Sequence, residues 1–176
     1  MAALDALRER MSVDGADLDA IERDAKKLGV AIDRPAASRK REPDERSPFR
    51  RYVGHGDRAI LVGRGAKDND ALTFQHARPH DLWLHVRGTT GSHVIVPMSR
   101  AEACPQELLL DAAHLAAHFS SARDEPQVEV QHAPRKLLKK PKGGAPGQVI
   151  VTQEKVFVLR VEPKRLQKLL GRAHDD

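Results

Sequence analysis

Residues 63–97 read GRGAKDNDALTFQHARPHDLWLHVRGTTGSHVIVP. The second half of this stretch alternates with period two. Leu82, Leu84 and Val86 interleave with Trp83, His85 and Arg87, which is the pattern of a strand with two distinct faces. Gly88-Thr89-Thr90-Gly91 turns the chain, and Val94-Ile95-Val96 is a second β-branched run ending at Pro97. The pair of strands places Asp81, Trp83, His85 and Arg87 along one face, with Ser92 and His93 returning beside them. The stretch holds the only Trp, four of the nine His, and a polar knot at Asp68-Asn69-Asp70. Polar groups crowded beside an aromatic ring point to binding, catalysis or metal.

Working outward, Ala59-Ile60-Leu61-Val62 reads as a buried strand ending at Gly63. Asp68 or Asn69 is expected to cap a helix running through Leu72, Phe74 and Ala77 and stopped by Pro79. Pro105 suits the first turn of a second helix. Its apolar face is Leu108, Leu109, Ala112, Ala113, Leu115, Ala116 and Phe119. So many alanines imply close packing on a sheet. Val128 and Val130 resume strand alternation, as do Val149-Ile150-Val151 and Val156-Phe157-Val158-Leu159. Between them Pro134 to Gly147, PRKLLKKPKGGAPG, is a basic loop with no acidic residue. Pro163 to Arg172 predicts a short helix with Leu166, Leu169 and Leu170 inward. The order of elements implies an α+β fold with a mixed, mostly antiparallel sheet.

Upstream, residues 1–32 form an expected N-terminal helical segment with narrow apolar stripes, Leu4, Leu7 and Met11, then Leu18, Ile21, Ala25 and Leu28. Residues 33–48, DRPAASRKREPDERSP, have almost nothing apolar to offset ordering entropy and are expected to be a flexible charged linker. The folded domain is then 49–176. Hydrophobic content of 40% permits a core, but aromatics at 3% leave it to Val, Leu, Ile and Ala. Net charge is +5, with pI about 9.6, which favours an anionic partner. One cysteine, Cys104, excludes an internal disulfide and a multi-cysteine zinc site. The charged N-terminus does not read as a signal peptide, and no run is long enough to span a bilayer. A cytoplasmic location without membrane contact is expected.

Two clusters carry candidate chemistry. Arg135, Lys136, Lys139, Lys140 and Lys142 lie on a glycine-rich loop between strands, which suits a phosphate backbone; a solvated charge run is the plainer alternative. Asn69, Asp70, Asp81, His85, Ser92 and His93 supply mixed donors and acceptors of the kind that read splayed RNA bases and 2′-hydroxyls. Trp83 is either a stacking platform or a core residue, the latter being the commoner fate of Trp. His114 and His118 share one helical face, but the HExxH glutamate and a third ligand are missing, so no metal is assigned. A Ser92, His93, Asp81 triad lacks the nucleophile elbow. Gly63-Arg64-Gly65 lacks the third glycine of a dinucleotide fingerprint, so no cofactor is assigned.

A set of motifs in order then identifies a resemblance: Gly63-Arg64, Asn69-Asp70, Leu72-Thr73, Asp81-x-Trp83-Leu84-His85 and Gly91-Ser92-His93-Val94. They are followed by Ala112-Ala113, Leu115-Ala116-Ala117, Ser120-x-Ala122-Arg123 and Lys139-Lys140-Pro141-Lys142-Gly143. From about Phe49 to Val161 the chain resembles NFACT-R, the RNA-binding module of ribosome-quality-control proteins of the NEMF and RqcH kind. The resemblance implies RNA as ligand, tRNA and large-subunit rRNA as partners, and no DNA. Candidate RNA contacts are Arg64, Asn69, Asp70, Asp81, Trp83, His85, Ser92, His93, Arg135, Lys136, Lys139, Lys140 and Lys142. Two alternatives stand beside this reading. One is an RNA-processing enzyme using Asp81, His85 and His93 for acid–base work. The other is a protein-binding adaptor using the N-terminal helices.

Overall fold

The alternation read at Leu82–Val86 becomes the centre of a seven-stranded sheet in which every pairing is antiparallel. The computed structural model describes residues 46–174. The helical segment expected over 1–32, and the linker up to residue 45, lie outside the described residues. Residues 46–48 already belong to the domain: the Ser47 and Pro48 carbonyls accept hydrogen bonds from Arg64.

The strands are β1 (Phe49–Val53), β2 (Ala59–Gly63), β3 (Leu82–Val86), β4 (Val94–Val96), β5 (Gln127–Pro134), β6 (Leu138–Lys139), β7 (Ile150–Val151), β8 (Lys155–Arg160) and β9 (Ala173–His174). The sheet order is β8-β5-β3-β4-β2-β1-β9, while β6 and β7 form a separate hairpin. Helix α1 (Ala66–Ala71) runs on into one π-helical turn (Leu72–His76). Helices α2 (Gln106–His118) and α3 (Pro163–Leu170) complete the α+β fold.

Helices α2 and α3 cover one face of the sheet, and α1 with the β6–β7 hairpin covers the middle of the other. On one face Ile60, Val62, Leu84, Val86, Val94, Val96 and Val130 pack against Leu108, Ala112, Leu115 and Ala116 of α2 and Leu169 of α3. The small Ala side chains let α2 lie close, as expected. Leu108 and Leu115 are fully buried, each contributing about 1.5–3 kcal/mol relative to exposure. On the other face Trp83, Ile95 and Ala133 pack under Leu72 of the π-helical turn and Leu138 of β6, with Leu61, Val149 and Val151 partly buried around them. Trp83 is therefore a core residue, and the stacking role considered for it is excluded by its complete burial.

Two local expectations change. The first helix starts at Ala66, not after Asp68 or Asn69, because Gly65 is extended and its carbonyl accepts from the Asn69 N–H at 2.7 Å. Asn69 is thus inside the helix with its side chain turned to the core. The basic loop also contains structure: Arg135–Leu137 is a 3₁₀ turn and β6 follows directly.

Candidate nucleic-acid interface

The π turn of α1, the Gly88–Gly91 turn and β4 meet around one buried imidazole. His93 is 2% exposed. Its Nδ1 lies 2.8 Å from the Thr73 hydroxyl, and its backbone N–H donates to Asn69 Oδ1 at 3.0 Å. The Asn69 Nδ2 donates to the Gly91 carbonyl at 3.1 Å. Gly91 in turn pairs with Ser120 just past the end of α2. A Cβ at Gly91 would press on the Ser120 Cα and Cβ at 3.1 and 2.9 Å, so only glycine lets the turn approach there. Ser92 Oγ donates to the Gly63 carbonyl at 2.7 Å. The motif residues at 63, 69 and 91–93 thus form one hydrogen-bonded joint between β2, α1 and the turn.

Trp83 and His85, two positions apart on β3, stack with ring planes 10° apart and centroids 5.8 Å apart. The His93 ring stands edge-on to both, at 5.3 and 5.6 Å. Burial, and next the neighbouring His85, hold the His93 imidazole at about 4, well below its ordinary value. Burial also lowers His85. Near neutral pH both rings are uncharged, so this cluster offers hydrogen bonds and ring faces, not cationic charge.

Above this joint lies a cleft of about 500 Å³. It is lined by Asn69, His85, Thr89, Thr90 and Ser92 together with Phe119 and Gln148. Sequence reasoning missed Thr73, Thr89, Thr90, Phe119 and Gln148. Thr73 carried a local signal, as a hydroxyl inside the Leu72-Thr73 motif, and so did Thr89 and Thr90, inside the glycine-bounded turn; Phe119 and Gln148 arrive from distant elements.

From the basic hairpin, Pro146, Gly147 and Gln148 reach the cleft. Lys140 Nζ donates to both Asp70 carboxylate oxygens at 2.8 and 3.0 Å and to the carbonyls of Ala145 and Gln148. Lys140 and Asp70 therefore act as a strap that holds the hairpin tip against α1. Arg135 Nε donates to the Thr73 carbonyl at 2.9 Å, and its guanidinium lies 5.2 Å from the Phe74 ring centroid. Lys136, Lys139 and Lys142 are exposed.

Asp81 is not brought to this cluster. It lies at the start of β3, four residues or about 13 Å along a strand from His85. Its carboxylate accepts from the backbone N–H groups of Arg78 and Met98 at 2.7 and 2.9 Å. The acid–base set of Asp81, His85 and His93, and the triad with Ser92, are not assembled. His114 is a satisfied core residue: Nε2 accepts from the Glu162 N–H at 3.0 Å, which places the proton on Nδ1, 2.7 Å from the Leu110 carbonyl. Among the described residues no cluster of His, Cys, Asp and Glu is arranged to hold a metal ion. Among them, too, no helix is long and apolar enough to cross a membrane.

An antiparallel sheet with helices on one face and a lysine-bearing hairpin over part of the other, beside an uncharged polar cleft, defines a small α+β binding module. The chain belongs to the NFACT protein RNA binding domain family, matched over residues 48–153. It is 40% identical over 116 residues to the Rqc2 homolog RqcH of Streptococcus suis, covering 66% of this chain and 20% of that protein. The RqcH of Bacillus subtilis is 36% identical over 108 residues, 61% of this chain and 18% of that protein. The chain therefore spans about a fifth of the length of these relatives. Among solved structures, it is similar to the C-terminal part of the fibronectin/fibrinogen-binding protein of Streptococcus suis, with TM-score 0.66 and 30% identity. That match covers 95% of this chain and 65% of the other.

Proposed function

We infer that the protein binds RNA through the basic hairpin and the cleft beside it, in the context of ribosome quality control. The observation that carries this reading is membership of an RNA-binding family over residues 48–153. That span includes α1, β3, β4 and the whole β6–β7 hairpin. Exposed Lys136, Lys139 and Lys142 suit phosphates, while the neutral polar cleft suits bases and riboses. The RNA is tRNA, large-subunit rRNA, or both, as the resemblance to the NFACT-R family implies. The protein acts by binding and not by chemistry on the RNA. Asp81 is engaged by the Arg78 and Met98 N–H groups and His93 is buried, so the Asp81, His85 and His93 set does not face the cleft together.

Crosslinking in cells, followed by sequencing of the bound RNA, tests this. Enrichment of tRNA or large-subunit rRNA over a basic control protein is expected, and none would overturn the reading. Incubation with total tRNA should leave its length and mass unchanged. A mass shift lost in His85→Ala would make the protein an enzyme.

A further inference from the structure

The Trp83–His85 stack ends at the cleft. Trp83 is wholly buried, with Leu72, Ile95, Ala133 and Leu138 around it, and it covers one face of the His85 ring. His85 lines the cleft beside Thr89, Thr90 and Ser92, which follow it in the turn. The side of the His85 ring away from Trp83 is the side left for a ligand in that space. The ring is not free to swing: His93 stands edge-on against it, and His93 is itself fixed by Thr73 and Asn69.

The lining is uncharged. It contains no Lys, Arg, Asp or Glu; its polar side chains are Asn69, His85, Thr89, Thr90, Ser92 and Gln148. An anion would find no cation here, so a phosphate group is a poor occupant. A volume of about 500 Å³ falls in the range of small-ligand pockets. Both asparagine ends are engaged by Gly91 and His93. The hydroxyls of Thr90 and Ser92 and the amide nitrogen of Gln148 retain capacity for a ligand. A planar, uncharged group with donors and acceptors on its edge fits this description. A nucleobase has that shape.

We propose that this cleft is a slot for one unstacked nucleobase, which adds a third ring to the Trp83–His85 stack. The proposal rests on the RNA-binding reading above and adds the class of group recognised. It makes the bound RNA one with an unpaired, extruded nucleotide, because a base inside a duplex cannot reach a closed-ended stack. Base–aromatic stacking of this kind changes affinity by roughly tenfold to a hundredfold on removal of the ring.

The only Trp in the chain is the buried layer of the stack, so its indole reports occupancy. The protein is titrated with adenosine monophosphate and, separately, with ribose 5-phosphate. NMR follows the Trp83 indole N–H and the His85 and His93 ring signals. In parallel, affinity is measured for a U12 RNA and for the same RNA with abasic positions replacing its central bases. Expected results are shifts with the nucleoside monophosphate only, and a tenfold or larger loss for the abasic RNA. His85→Ala should weaken U12 by a similar factor while His85→Phe, which keeps a flat ring, restores most of it. Equal affinity for U12 and abasic RNA, or equal shifts with both small molecules, would overturn the slot while leaving RNA binding intact. Failure to bind any RNA would instead remove the reading beneath it, and the slot with it. The abasic comparison uses wild-type protein, so it decides even where His85→Ala does not fold.

Discussion

Asn69→Ala separates a structural role from direct RNA contact. Asn69 is 5% exposed and links α1 to the Gly91 carbonyl and the His93 N–H. Truncation leaves the His93 N–H without its partner and the Gly91 carbonyl with the His85 ring alone, at up to about 1–3 kcal/mol each. Gly91 is half-buried beside the cleft, so water relieves part of its cost, and a total of about 2–4 kcal/mol follows. For a domain spanning residues 46–174 the unfolding entropy is roughly 0.27 kcal/mol/K, so the melting temperature should fall by about 7–15 °C. Circular dichroism melts read this directly. Hydrogen exchange at the His93 amide should accelerate more than exchange in α2, because the lost bond is its own. At temperatures well below the melt, all RNAs should weaken in parallel with an unchanged salt slope. A melting temperature within about 2 °C of wild type, together with loss of RNA binding, would refute the argument and make Asn69 an RNA ligand.

Three further outcomes are expected. Replacing Lys139 and Lys142 by Ala should reduce the log–log salt slope for single-stranded RNA by roughly 1.4. Lys140→Ala should change the slope less and instead expose the hairpin tip to protease, since its ammonium holds Asp70 and two carbonyls; an equal slope change for all three lysines would contradict the strap. Stability should fall on acidification: the His93 imidazole sits at about 4 in the fold and near 6.5 unfolded, so the unfolded state takes up the proton first. Its contribution is complete above about pH 6.5 and declines toward pH 4, on the order of 3 kcal/mol in all. His85, lowered in the same direction, steepens this, and a urea midpoint that stays constant from pH 7 to 4.5 would sink the assignment. Finally, a Cβ at Gly63 would collide with the Asn69 Oδ1, so Gly63→Ala should destabilise much as Asn69→Ala does. The double variant should cost less than the sum, because both break the same joint; full additivity would show that they act separately.

Much was legible from local pattern. Alternation at Leu82–Val86, the glycine-bounded turn, the alanine-rich face of α2 and the leucines of α3 are one-dimensional signals, set by φ/ψ preference and by which side of an element is buried. They yielded the α+β class, and the ordered motifs led to the RNA-binding family. Tertiary structure alone decided the rest. Period two puts Asp81, Trp83 and His85 on one face, but a hairpin fifty residues later covers that face above Trp83 and stops short of His85. One ring became core and the next became the wall of a cleft. Asp81 shares their parity yet answers to Arg78 and Met98 at the strand's start. Lys140 read as one cation of a run, but it folds back onto Asp70, 70 positions away. Parity and charge are properties of a segment. Which neighbour covers a face, and which charge finds a partner, depend on where distant segments pack, and no local pattern carries that information.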